Sequence, residues 1–167
     1  MGILVSSTDF TGYYKLPINT RNTSELDEVI ALKERLYLNK VLGVDLAQLF
    51  IDDLTNQVPV TQIYLDIYNA IQMDYQSSVI QNNGMKEMVK GFIYAEFIDK
   101  QEKQQTTVGA KHNDSANSQM LGAQGGRMQE MFNEAVNSSK VIQNYINTNW
   151  ASYPDYNGQE INFALWV

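Results

Sequence analysis

The sequence predicts a mainly α-helical fold, a small bundle of four to five helices. Three observations carry that prediction. Apolar residues recur at helical spacing after Ser24, across 84–100, and from near Arg127 up to Pro154. Residues that start or stop helices, among them Asn22-Thr23-Ser24, Gly43, Asp45 and Pro154, fall at the edges of those patterns. Strand-like alternation is confined to about 71–80 and to the last nine residues.

A chain of 167 residues suits a single domain, 1–167, with one real core. Its 44% hydrophobic and 19% charged content is that of a folded protein. A net charge of −7 and a pI near 4.6 argue against a nucleic-acid-binding surface, because phosphate neutralisation needs clustered Lys and Arg. The twelve basic residues here are scattered. An acidic surface still suits a protein that lets DNA pass without sticking. Without cysteine there are no disulfides and no thiolate metal sites. No apolar run approaches the roughly 20 residues that span a bilayer, and no basic stretch followed by an apolar one marks a signal peptide. Met1-Gly2-Ile3-Leu4-Val5-Ser6 matches the myristoylation pattern but has no polybasic flank to reinforce it, so no membrane association is expected. The sequons at Asn22, Asn113 and Asn137 carry no meaning without secretion.

Residues 1–22 read as an extended N-terminal arm. Ile3-Leu4-Val5 suits a short strand, and Ser7-Thr8-Asp9-Phe10 offers hydroxyl and carboxylate acceptors for a turn. The helical body, 23–154, opens behind the N-cap candidates Asn22-Thr23-Ser24. Glu25, Asp27 and Glu28 fall in the first turn, and Leu26, Val29, Ile30, Leu36, Tyr37 and Val41 face inward. Gly43 stops this helix; Asp45 caps a shorter one from Leu46 to about Leu54, with Leu46, Leu49 and Phe50 inward. Pro59 to Asn69 reads as a short helix; Ile71, Met73 and Tyr75 then alternate with polar residues, which favours a small hairpin over the alternative of a continued helix. From Gly84 the next helix places Met85, Met88, Val89, Phe92, Ile93, Ala95 and Phe97 on one stripe.

A polar loop, 101–118, is expected to protrude after it. In the last helix Met128, Met131, Phe132, Ala135, Ser139, Ile142, Tyr145 and Ile146 hold one face. Gly122, Gly125 and Gly126 would each cost about 1 kcal/mol inside a helix, so its regular start is expected near Arg127. Pro154 ends it, leaving a C-terminal tail, 155–167.

No constellation points to catalysis, and the chain is read as a non-enzyme. His112, the only histidine, sits in the polar loop without an orienting partner. Asp52 and Asp53 diverge by about 100° on a helix, and no calcium-binding loop follows them, so no metal site is expected. Glu130 with Glu134, and Glu96 with Asp99 and Glu102, read as solvated helix faces rather than an acid–base pair. No phosphate loop or nucleophile elbow occurs, and no cofactor is implied. The methionines at 85, 88, 128 and 131 have core spacing.

A family resemblance adds to this. Leu4-Val5-Ser6-Ser7-Thr8-Asp9-Phe10-Thr11-Gly12-Tyr13-Tyr14 resembles the opening of head–tail connector proteins (head-completion or adaptor proteins, neck rings) of tailed double-stranded DNA bacteriophages. The stretch from Leu38 through Val41-Leu42-Gly43 to Leu46 resembles the end of their first helix, and 84–97 their central helix. Thr106-Thr107-Val108-Gly109 with 113–118 is similar to their following loop, and Ile146 to Trp150 with Tyr153-Pro154 to their last helix and exit. The blocks come in order along nearly the whole chain; 70–80 and the last nine residues fit less well. The resemblance implies a structural protein of the virion neck, made in the host cytoplasm. It implies a ring of copies of itself, commonly twelve, joining the portal protein to the tail or the next neck ring around the DNA passage. The rival readings are a tail-side protein such as a tail terminator, and a small helical enzyme or regulator outside the virion.

Two contact regions follow as expectations. Thr107, Val108, Gly109 and Lys111 in the loop are assigned to a neighbouring subunit or the next ring, since so long a loop is uncommon without a function. Tyr156, Ile161, Phe163, Leu165 and Trp166 are assigned to a tail that docks on the portal as an added strand. The alternative for the tail is that it folds back over its own core.

Overall fold

The computed structural model describes residues 2–16, 20–107 and 116–163. Five helices dominate them: α1 (Thr20–Leu42), α2 (Val44–Asp52), α3 (Gln62–Tyr68), α4 (Met85–Thr107) and α5 (Ala116–Thr148). Two antiparallel hairpins of two strands each complete the fold, β1 (Leu54–Thr55) with β2 (Val58–Pro59), and β3 (Gln72–Tyr75) with β4 (Ser78–Gln81). Short 3-10 turns occupy Ser7–Asp9, Gly12–Tyr14 and Trp150–Ser152. The chain is thus a small helical bundle with a hairpin, as the periodicity predicts.

The core lies between α1, α4 and α5. All the apolar residues predicted on α4 are buried, as are Met128, Met131, Ala135, Ile142 and Ile146 on α5, so the four methionines are core residues. Aromatic rings tie the three helices together: Tyr37 of α1 stacks on Phe92 of α4 at 4.1 Å, and Phe92 meets Phe132 of α5 edge-on at 5.3 Å. The Tyr37 hydroxyl donates to Glu96 at 2.7 Å, and Lys33 pairs with the same carboxylate at 2.9 Å. Helices α4 and α5 run antiparallel and very close. A Cβ on Gly91 would lie 2.9 Å from both the Ala135 Cβ and the Met131 carbonyl, so only glycine fits there.

Several expectations need correction. Helix α1 begins at Thr20, inside the expected arm, and its early turns are held by α4: Gln101 donates to Glu25 at 2.6 Å and Lys100 to Glu28 at 3.1 Å. Long-range partners outweigh the capping preference of Asn22-Thr23-Ser24. The expected loop 101–118 is helical at 101–107 and at 116–118, and α5 runs straight through Gly122, Gly125 and Gly126. Glycine propensity fails as a boundary signal where a long antiparallel neighbour continues alongside.

Helix α2 is entered through Gly43, whose φ of 82° an L side chain rarely adopts, rather than through an Asp45 cap. Leu36 and Leu49, expected inside, are substantially exposed. Ile3-Leu4-Val5 is not a strand, while the turn at Ser7–Asp9 forms as expected, with Asp9 accepting from the Ser6 amide at 2.8 Å. The β3–β4 hairpin matches its prediction, turning at Gln76 and Ser77 with φ of 47° and 65°. The β1–β2 hairpin, turning at Asn56 and Gln57, was not signalled because two-residue strands carry no periodicity.

Candidate functional site

Of the loop residues assigned to an interface, Thr107 is the last residue of α4, and Val108, Gly109 and Lys111 lie outside the described residues, as does His112. Among the residues whose side chains are described, the core of α4 extends to Ile98 and that of α5 begins at Met128. Helix α4 runs on to Thr107, and α5 begins as early as Ala116. Polar sequence at 101–107 and 116–118 thus continues helices where a loop is expected, and 108–115 lie outside the described residues.

The tail is divided. Gln143 of α5, itself buried, donates to the Val41 carbonyl at 3.1 Å and to the Gln159 carbonyl at 2.9 Å. The Gln159 and Asn157 amides donate to the Lys40 and Leu42 carbonyls at 2.6 and 3.3 Å. The last carbonyls of α1, which have no partner inside that helix, are thus satisfied by the tail and by Gln143. Room for this exists only because of glycine: a Cβ on Gly158 would stand 2.1 Å from the Val41 carbonyl. Ile161 is buried in the core and Tyr156 packs against it. The docking expectation does not fit these two residues, which fold back. Phe163 remains half-exposed, with the Lys140 ammonium 4.4 Å from its ring centre, while Leu165 and Trp166 lie outside the described residues.

The amino-terminal segment has its own fastening, which the sequence did not reveal. Glu34 of α1 is almost fully buried and accepts from the amides of Ile3 and Leu4 at 2.5 Å and of Val5 at 3.0 Å. Burial pushes this carboxyl above the ordinary glutamate range, against the pull of the three amides and of the Lys86 charge. Lys86 pairs with Asp9 at 2.9 Å. Burial raises the Asp9 carboxyl too, but the Lys86 hydrogen bond and the Ser6 amide and hydroxyl outweigh it and hold Asp9 below the ordinary value. Gly2 is tied in as well, its carbonyl accepting from the Gln57 side chain at 3.1 Å.

A polar cleft of ≈ 400 Å³ opens between this segment, the end of β4 and α5. Tyr13 and Tyr14 form one wall, Gln81, Asn82 and Asn83 another, and Glu87 and Glu134 contribute carboxylates. The Tyr13 hydroxyl donates to Glu134 at 3.1 Å and the Tyr14 hydroxyl to the Glu87 carbonyl at 3.3 Å. Burial is the leading cause that holds both phenols above their ordinary value, followed by the Glu134 hydrogen bond for Tyr13 and the Glu87 charge for Tyr14. Asn82 shapes the floor: its Oδ1 accepts from the Ile71 amide at 2.8 Å and the Gly84 amide at 3.2 Å. Neither carboxylate has the apolar enclosure that acid–base work requires.

The other acidic candidates are accounted for locally. Asp53 accepts from the Thr61 hydroxyl and from the Thr61 and Val60 amides, contacts that hold its carboxyl below the ordinary value. Asp52 accepts from Gln48 at 2.7 Å. Among the described residues no group of three or more potential ligands converges on a metal position, and no helix is long and apolar enough to cross a membrane.

Large apolar side chains are exposed at several places, among them Val44, Leu49, Val60 and Val79, and two of these places lie far apart along the bundle. Leu32 and Leu36 lie one turn apart on α1, 73% and 41% exposed, and Trp150, at the exit of α5, is 74% exposed. Lys33 contacts Glu96, and Tyr94 on α4 lies beside Arg127 of α5, which places Leu32 level with the start of the packed part of α5. At 1.5 Å per residue, Trp150 sits about 30 Å farther along the bundle. Comparisons with known protein families, with curated proteins and with solved structures find no match.

Proposed function

We propose that this protein is a structural, non-enzymatic subunit that assembles head-to-tail into a ring at the head–tail interface of a bacteriophage virion, between portal and tail. The resemblance of its sequence blocks to head–tail connectors supplies the identity of the particle. The observation that carries the assembly is the pair of non-equivalent apolar positions, Leu32 with Leu36 on α1 and Trp150 beyond α5. A two-fold dimer needs one self-complementary patch, whereas a ring needs two different patches that meet between successive copies. Leu32 and Trp150, the two most exposed of several apolar side chains in water, lie at separated places and fit the second case. The net charge of −7 suits a ring through which DNA passes without being held.

The test is the particle. Purified virions should contain the protein in a fixed ratio to the portal, and micrographs of the neck should accept the bundle as a ring of repeated density, twelve copies by resemblance. Finding the protein only as a free species in infected cells, and never in purified virions, contradicts the proposal.

A further inference from the structure

We propose that the outer edge of β4, together with the cleft at its end, binds an extended peptide segment that carries a basic side chain. The register fixes which backbone groups are available. Tyr75 and Ser78 close a two-residue turn, so they form a mutually bonded pair, and so do Met73 and Ile80 two residues on. The same alternation continues at Ile71 and Asn82, where the Asn82 amide donates to the Ile71 carbonyl at 2.9 Å. Val79 and Gln81 therefore turn their N–H and C=O groups away from β3. The sheet contains only two strands, so no further strand pairs with this edge, and among the described residues the Val79 and Gln81 amides find no backbone acceptor. Unpaired donors and acceptors at i and i+2 form the pattern on which an extended chain adds as a further strand.

The cleft extends this edge and supplies selectivity. Gln81, Asn83 and Asn137 line it with carboxamides that make no hydrogen bond within the described protein, and carboxamides match the alternating donors and acceptors of a peptide backbone. Its charges do not cancel. Glu87 is paired with Lys90, and the Arg127 guanidinium lies against the Tyr13 ring, with Glu130 also acting on that phenol. Among the described residues Glu134 has only the Tyr13 hydroxyl as a hydrogen-bond partner, so this exposed carboxylate stands open beside a half-exposed aromatic ring. That pairing favours a lysine or arginine side chain. The chain's own tail is a poor occupant in a second copy, since 155–167 contains Asp155 and Glu160 and no basic residue. The inference does not depend on the ring or on the particle in which the protein acts.

The test uses the full chain in ¹H–¹⁵N spectra, titrated with the blocked hexapeptide acetyl-Thr-Val-Thr-Arg-Thr-Val-amide and with its counterpart carrying glutamate for arginine. The arginine peptide should move the Val79, Gln81, Asn83 and Glu134 amides and bind at least about fivefold more tightly than the glutamate peptide. Val79→Pro removes only the outward donor and should weaken binding about tenfold with its melting temperature kept. Asp74→Pro, at an outward position on the opposite edge, should change nothing, and Glu134→Gln should erase the preference for arginine. No shift with either peptide, or native-strength binding by a folded Val79→Pro variant, overturns the proposal. Equal loss in Asp74→Pro, or tighter binding by a peptide of residues 159–167 than by the arginine probe, overturns it as well.

Discussion

At one end of the chain three backbone amides converge on the buried carboxylate of Glu34; at the other, the tail is threaded between the last carbonyls of α1 and the carboxamide of Gln143. Both ends are thus fastened to the same helix by one side chain each, but with opposite polarity. The amino-terminal segment presents donors and needs an acceptor, which a carboxylate supplies strongly at the cost of burying charge. The carboxy-terminal tail gives its Asn157 and Gln159 amides to α1 carbonyls and presents the Gln159 carbonyl, so it needs a donor. The Gln143 amide nitrogen donates at once to that carbonyl and to that of Val41. The lesson is that the two fastenings differ in strength and in their response to pH, although they are similar in design.

The largest expected effect is at Glu34. Replacing it with alanine leaves three amides buried without a partner, and urea unfolding should show a loss of about 3–5 kcal/mol. A loss below about 1 kcal/mol would mean that water replaces the carboxylate easily. Deleting residues 159–167 should cost somewhat less, about 2–4 kcal/mol, because Ile161 leaves the core and the Gln159 contacts go with it. An unchanged melting temperature after that deletion would show the tail to be a docking element after all. Gln143→Ala should cost about 1–3 kcal/mol, the penalty for two carbonyls left unpaired.

Neither fastening is legible in the sequence. Glu34 lies within the stretch that carries Ile30, Tyr37 and Val41, and one carboxylate among apolar positions reads as an ordinary solvated residue. Its partners are backbone groups about thirty residues away, and backbone groups leave no trace in composition. Gln143 carries no signal either, being one of many amide side chains along α5. What periodicity reveals is burial along a continuous element, which is why the stripe from Met85 to Phe97 and the face from Met128 to Ile146 were found almost residue for residue. Boundaries failed where a distant neighbour decides them: Lys100 and Gln101 hold the early turns of α1, and α4 runs beside the glycines of α5. The cleft was invisible for a related reason. Tyr13, Gln81 and Glu134 become neighbours only once the amino-terminal segment is fastened down.

The smallest and most discriminating effect is on pH dependence. Burial raises the Glu34 carboxyl in the folded chain, so folding favours its protonated form. Its contribution is complete below the ordinary glutamate value and is lost as pH rises through the raised one. Asp9 has the reverse sign: its depressed value means that its contribution is lost as pH falls through that value. Urea unfolding measured upward from about pH 4 should therefore show a fall in stability for the native chain, and Glu34→Gln should remove it. Gln143→Ala should leave the slope unchanged, since a carboxamide does not titrate. A slope that survives in Glu34→Gln would assign it to another group.

The absence of cysteine from the sequence permits a direct test of the ring. Two single variants, Leu36→Cys and Trp150→Cys, and the double variant are each tested in the proposed assembly, which is purified, oxidised and separated without reductant. Head-to-tail assembly predicts no cross-link in either single variant. In the double variant it predicts a ladder of dimers, trimers and higher species that stops at the copy number of the ring. A dimer in a single variant, or only monomer in the double variant, would contradict it.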